Sequence, residues 1–240
     1  MIIEGKNAVM EALKNNVTIN KMLVQNNLTD NASNQIIKMA KDKGIRIDFV
    51  SRDVLDKKSK NRHQGFVCDT TDFNYGEVED ILNKAKNKNE SPFIVVLDGI
   101  EDPHNFGAII RTCECAGVHG IIIPEHRACA VNDTVVKTSA GATANMIIAR
   151  VGNLNNCIEI LKKEGIWVYC LETGGKEMTT VNLTGAIAIV VGSEGKGVSK
   201  LTRQICDDTL SIKLKGTINS LNASVATAIA VYEVVRQNSK

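Results

Sequence analysis

Aromatic residues make up only 4% of the 240 residues, with a single Trp, which disfavours any mode of binding that stacks single-stranded bases on a row of exposed rings. An excess of one charge is also lacking. Lys and Arg number 29 against 27 Asp and Glu, a net charge of +2, which suits a nucleic-acid partner where the positive charge is clustered. No stretch is long and apolar enough to span a bilayer, and the opening "MIIEGKNAVMEALKNN" lacks the basic, apolar and small-residue order of a signal peptide. A cytoplasmic protein with no membrane partner is therefore expected. Neither G-x-G-x-x-G after a first strand nor the P-loop spacing occurs, which argues against a nicotinamide enzyme or an NTPase.

What is present is the composition of a globular protein with a real core, 43% hydrophobic and 23% charged. The 7 Cys are an odd number and scattered, as expected of buried small hydrophobes in a reducing compartment. The pair in "TCECAG" invites a metal reading with a nearby His. On a helix, however, Cys113 and Cys115 are two positions apart and point to different faces, so no metal is expected there.

Residues 1–73 alternate helix and strand signals and read as a small α/β domain. "GKNAVMEALKNN" and "SNQIIKMAKDKG" have helical spacing, whereas "KMLVQ", "RIDFVS" and "GFVCDTT" read as strands. Between the last two, "DKKSKNRHQG" has no apolar residue and reads as a loop. Its Lys58, Lys60, Arg62 and His63 are candidate contacts to an RNA backbone. Residues 74–91 open with an amphipathic turn or two, end in a polar run, and read as a linker. From 92 to 240, the apolar runs "FIVVLDGI", "GIIIPE", "NMIIARV", "IWVYCLE" and "AIAIVVG" alternate with helical segments. That pattern predicts a parallel sheet covered on both faces.

Ligands in open α/β sheets bind beyond the carboxyl ends of the strands. After "FIVVLDGI" comes "EDPHNFGAIIRTCECAG", with Asn105 at a helix start and Arg111 further along the same helix. An Arg there is either a surface residue or a clamp for phosphate or carboxylate. After "AIAIVVG" comes "GSEGKGVSK", whose glycines suit a sharp turn or close approach to a ligand. The last stretch, "TINSLNASVATAIAVYEVVRQ", joins a polar entry of Asn219, Ser220, Asn222 and Ser224 to a helix apolar nearly all round. One cap needs one or two such residues; four suggest that the helix start also faces a ligand.

Taken in order, "DPHNFGAIIRT", "IVVGSEGKGVS" and "LSIKLKGTINSLNASVATAIAVYEVVRQ" closely resemble the three signature motifs of the SpoU, or TrmH, family of RNA ribose 2′-O-methyltransferases. The N-terminal "IEGKNAVMEAL" and "HQGFV" resemble the small RNA-binding domain, similar to ribosomal protein L30, of the branch that modifies guanosine in 23S ribosomal RNA. The resemblance implies S-adenosylmethionine as cofactor, a catalytic domain with a deep trefoil knot, and a homodimer whose active site combines both subunits. It further implies that backbone groups at Gly192, Ile212 and Leu221 hold the cofactor, and that Asn105, Arg111, Glu194, Ser220 and Asn222 form the active site. Two alternatives stay open: the same reaction on tRNA or another ribosomal nucleotide, and a ribosomal RNA-binding protein without catalysis. Lys213 stands where many members carry Pro, and so bears on the shape of the cofactor loop.

Overall fold

A computed structural model describes residues 2–14, 17–59, 62–70 and 73–239. The chain divides into two compact units, Met1–Asn74 and Tyr75–Lys240. In the first, strands β1 (Ile2–Glu4), β2 (Ile19–Gln25), β3 (Ile47–Val50) and β4 (Phe66–Thr70) form a sheet in the order β1-β4-β2-β3. Only β2 and β3 run parallel. Helices α1 (Lys6–Lys14) and α2 (Asn31–Asp42) bury Val9, Leu13 and Ile36 with Met22, Val24 and Phe66. The other face carries α3 (Arg52–Lys58), whose Leu55 packs on Leu23 and Val67. The stretch read as a loop from Asp56 thus begins in a helix: one buried leucine fixes a segment whose other side chains are almost all exposed.

The span read as a linker is also structured. Residues Val78–Lys88 form α4, whose N-terminus is closed by a reciprocal pair, Asp80 accepting from the Glu77 backbone and the Glu77 side chain from the Asp80 backbone. Ile81 and Ala85 are fully buried, Ile81 among residues of the second unit's sheet. Burial of an isoleucine is worth about 1.5–3 kcal/mol, enough to hold a helix whose remaining surface is charged.

The second unit contains β5 (Phe93–Asp98), α5 (Pro103–Cys115), β6 (Gly120–Pro124), α6 (Asp133–Thr138), β7 (Ile147–Val151), α7 (Leu154–Lys163), β8 (Trp167–Glu177), β9 (Ile187–Gly192), α8 (Lys200–Ile205), β10 (Asp208–Ser211) and α9 (Ala223–Asn238). Its six strands are all parallel, in the order β10-β8-β9-β5-β6-β7. The central strands are buried along almost their whole length, which explains why their sequences are continuous rather than alternating apolar runs. Strand β10 ends at Ser211, and from Ile212 onward the chain leaves the sheet. No helix among the described residues is long and apolar enough to cross a membrane. Cys113 is buried and Cys115 exposed, so the two do point apart on α5.

Candidate active site

From β5 the chain proceeds outward to β6 and β7, whereas β9, β8 and β10 lie on its other side. The crevice at the carboxyl ends of β5 and β9 is therefore the topological switch point, where such sheets bind ligands. Asp98, the last residue of β5, accepts the Ser199 backbone N–H at 2.8 Å and ties the segment after β9 to this edge. Helix α5 starts just beyond, with Pro103 in its first turn and Asp102 as cap, accepting from the Asn105 N–H at 2.8 Å.

The segment from Ser193 to Gly197 closes on itself, with Ser193 N–H to the Gly197 carbonyl at 3.2 Å and Gly197 N–H to the Ser193 carbonyl at 2.9 Å. Glycine is required at both ends of this turn. A Cβ on Gly192 would lie 1.9 Å from the Gly197 carbonyl carbon, and Gly197 has φ +65° with the Glu172 carboxylate against it. Glu172, midway along β8 and just past the residues that pair with β9, accepts the Val198 N–H and holds the turn. Sequence reasoning passed over Asp98 and Glu172; the available signal was a carboxylate closing an apolar run, in "FIVVLD" and in "IWVYCLE".

Three of the predicted residues meet here. The Asn105 amide donates to Glu194 Oε1 at 3.2 Å, the Asn222 amide donates to Asn105 Oδ1 at 2.9 Å and also to Glu194 Oε1, and the Ala223 N–H reaches the same oxygen at 3.4 Å. Asn222 in addition caps α9, its Oδ1 accepting from Ser224 and Val225 N–H groups. One side chain thus starts the last helix and joins it to the two motif loops. Asn219, Ser220 and Leu221 precede the helix rather than form its first turn.

Beside this cluster lies a cavity of about 540 Å³, a size that suits a cofactor. It is lined by Gly192, Glu194, Ile212, Ser220, Leu221 and Asn222 among others. The three positions expected to hold the cofactor and three of the five active-site positions therefore share one cavity. Asn105 reaches it through its hydrogen bonds. Arg111 does not join the cluster: it is exposed, with no hydrogen bond or ion pair among the described residues, and six positions along α5 turn it about 120° from Asn105. Lys213 pairs with Glu177, at 3.3 Å.

In the first unit, Lys58 is exposed near Asp69, at 3.9 Å, and Arg62 is exposed. Lys60 lies outside the described residues. His63 differs from the expectation: it is 6% exposed, and its Nδ1 accepts the Gly65 N–H at 2.9 Å. Nε2 therefore carries the ring proton and donates to Asp56 at 2.8 Å. With both nitrogens occupied, this ring fixes the turn into β4 and is not presented to solvent.

Residues 92–232 match the SpoU rRNA Methylase family, and residues 2–76 match the family described as RNA 2′-O ribose methyltransferase substrate binding. The chain belongs to the SpoU family. It is 40% identical over 237 residues to a Bacillus subtilis (strain 168) protein, YacO, assigned to the TrmH family of tRNA/rRNA methyltransferases, covering 98% of this chain and 95% of that one. Among solved structures, the SpoU methyltransferase AviRb from Streptomyces viridochromogenes in complex with AdoMet superposes with a TM-score of 0.62 at 21% identity, covering 99% of this chain and 90% of that one. An AdoMet-bound rRNA methyltransferase from Sinorhizobium meliloti gives 0.62 at 23% identity, covering 98% and 86%. The fold is thus that of the SpoU enzymes, a substrate-binding α/β domain followed by a knotted, parallel-sheet catalytic domain, and the activity is RNA ribose 2′-O methylation.

Proposed function

We propose that this chain, as a cytoplasmic homodimer, transfers a methyl group from S-adenosylmethionine to the ribose 2′ oxygen of a guanosine in 23S ribosomal RNA. The observation that carries the chemistry is the hydrogen-bonded junction of Asn105, Glu194 and Asn222 at the rim of the cavity. The cavity fits the cofactor: Gly192 lines it at the end of β9, Ile212 and Leu221 offer apolar cover, and Glu172 and Glu194 supply negative charge. Such a donor set suits an adenine edge read by main-chain groups and a cationic sulfonium. When bound, S-adenosylmethionine supplies an electrophilic methyl group.

The chain's own contribution is alignment and stabilisation of charge on the substrate oxygen. Glu194 gathers Asn105, Asn222 and the start of α9 through one oxygen, which sets the distance between the motif loops. Ser220, exposed at the cavity with no hydrogen bond among the described residues, has its hydroxyl available to substrate. The Arg111 guanidinium offers five donors and no acceptor, which makes it unsuited to take the proton. Its role is to bind the phosphate beside the target ribose and to stabilise the developing alkoxide, the proton leaving through phosphate or water. Replacement by Lys keeps the charge and loses the planar fork. Arg111→Lys is expected to lower turnover on the order of 100-fold with cofactor affinity unchanged; near-normal turnover would contradict the bidentate role.

The dimer is supported by α9, where Val225, Ile229 and Tyr232, spaced at four and three residues, are exposed on one stripe. The 23S substrate is supported by the N-terminal resemblance to the L30-like domain. A tRNA substrate is the second reading, favoured by the B. subtilis relative, whose description covers both RNAs. Labelled S-adenosylmethionine offered with unmodified 23S RNA and, separately, unmodified tRNA separates the two. Label recovered as 2′-O-methylguanosine from 23S RNA alone is expected; label in tRNA alone would overturn the substrate.

A further inference from the structure

Arg127 is absorbed by none of the motifs. It lies in the segment after β6, at the same carboxyl edge of the sheet as the active site, because β6 pairs in parallel with β5 and β5 with β9. The segment is pinned on both sides of it. Glu125 N–H reaches the Val151 carbonyl at 3.0 Å, the Glu125 carbonyl accepts from Arg150 at 3.3 Å, and Cys129 N–H donates to the Ile100 carbonyl at 2.8 Å. Between these anchors, His126 and Arg127 are exposed.

The backbone at Arg127 has φ +59°, left-handed. That conformation is tolerated by Gly, Asn and Asp and is unfavourable for a long side chain. Asn27, Gln64, Asn89 and Ala140 adopt it as well, and Asn89 caps α4; Arg127 caps no helix. Strain of this kind survives where the surroundings impose it, and it gathers at functional sites. Here the surroundings are the active-site loops: a Cβ on Gly99, the residue after β5, would lie 3.6 Å from Ser193 Cβ and 3.8 Å from the Arg127 carbonyl oxygen. Ser193 adjoins Glu194, so Arg127 is held one layer from the Asn105, Glu194 and Asn222 junction. Its guanidinium has no hydrogen bond or ion pair among the described residues.

We infer that Arg127 is a phosphate-binding residue of the RNA site, presenting its guanidinium to a backbone phosphate next to the target ribose. The inference rests on the reading of the chain as an RNA ribose methyltransferase and adds a contact outside the signature motifs. A guanidinium fork pairs with two phosphate oxygens at once, and a residue locked at a fixed backbone angle delivers it with little ordering left to do.

The test uses the full chain with unmodified 23S RNA and unmodified tRNA transcripts, measuring RNA binding at several salt concentrations beside cofactor binding and thermal melting. Arg127→Gly keeps the left-handed turn and removes the cation; Arg127→Lys keeps the cation. For Arg127→Gly, RNA affinity is expected to fall on the order of tenfold, and the slope of log affinity against log salt to shrink by about 0.7–0.9, the share of one phosphate. Melting and cofactor affinity stay at wild-type values, and Arg127→Lys restores the slope. Wild-type RNA affinity and slope in Arg127→Gly would overturn the assignment, as would loss of cofactor binding in step with RNA binding. A wild-type chain that binds cofactor and neither RNA would overturn the substrate reading and Arg127 with it.

Discussion

Around the 192–198 turn the backbone is closed off group by group: Ser193 and Gly197 bond each other, Val198 bonds Glu172, and Ser199 bonds Asp98. Across the cavity, the 212–221 segment makes no backbone-to-backbone bond among the described residues, and Ile218 is 75% exposed. Both segments line the same cavity. The difference teaches that one wall is braced by the chain's own hydrogen bonds, whereas the backbone of the other has no such bracing among the described residues. A segment with few such bonds stands at the low end of local stability, from which ligand-binding loops are drawn. Asn222 is the point where the two meet, since it caps α9 and bonds both Asn105 and Glu194.

The most direct way to break the comparison is to spoil the closed wall. Gly192→Ala puts a methyl group 1.9 Å from the Gly197 carbonyl carbon. The clash is with backbone and cannot be relieved by a rotamer, so about 3 kcal/mol of distortion is expected, on the order of 100-fold in cofactor affinity. Calorimetric titration with S-adenosylmethionine reads it, with methyl transfer lost in parallel. Next comes the pin. Asn222→Ala is expected to lower turnover on the order of 100-fold by misplacing the motif loops, yet to cost only about 1 kcal/mol of stability, the value of a helix cap; kinetics and a denaturant melt measure the two separately. Equal loss in both would mean that Asn222 is a structural cap and nothing more.

A smaller effect should follow from the open side. Ile229→Asp places a charge in the exposed stripe of α9. It is expected to give a monomer by light scattering, with a lowered melting temperature because the partner no longer stabilises the fold. The smallest effect compares two thiols on α5. Burial pushes the Cys113 thiol far above its ordinary range, whereas Cys115 is exposed. A neutral alkylating reagent applied to the native chain should modify Cys115 first and leave Cys113 untouched until unfolding, as peptide mass mapping would show.

How much of this was legible follows the same physics. The five central and edge strands from "FIVVLDGI" to "AIAIVVG" were legible because burial on both faces demands unbroken apolar runs. Helix α4 was not, because its buried Ile81 and Ala85 sit among charges, and α3 was not, because Leu55 is its single buried residue. At the site, the motifs marked Asn105, Glu194 and Asn222, but their meeting joins residues 89 and 117 positions apart, a fact of topology that no local pattern states. Glu172 was hidden because its role is to hold another loop's backbone. Arg127 was hidden because a backbone angle is not written in a residue type. His63 was misjudged for the opposite reason: it lies in a run of exposed cations, yet its own ring is buried.

The measurement that tests the account most directly is amide hydrogen exchange of the full chain, free and saturated with S-adenosylmethionine. The amides of Ser193, Gly197 and Val198 are expected to be protected in the free protein already, and those between Ile212 and Leu221 to become protected only when the cofactor is bound. Equal protection of both segments before binding, or fast exchange of the 193–198 amides in the free chain, would contradict a cavity with one finished wall and one that its ligand completes.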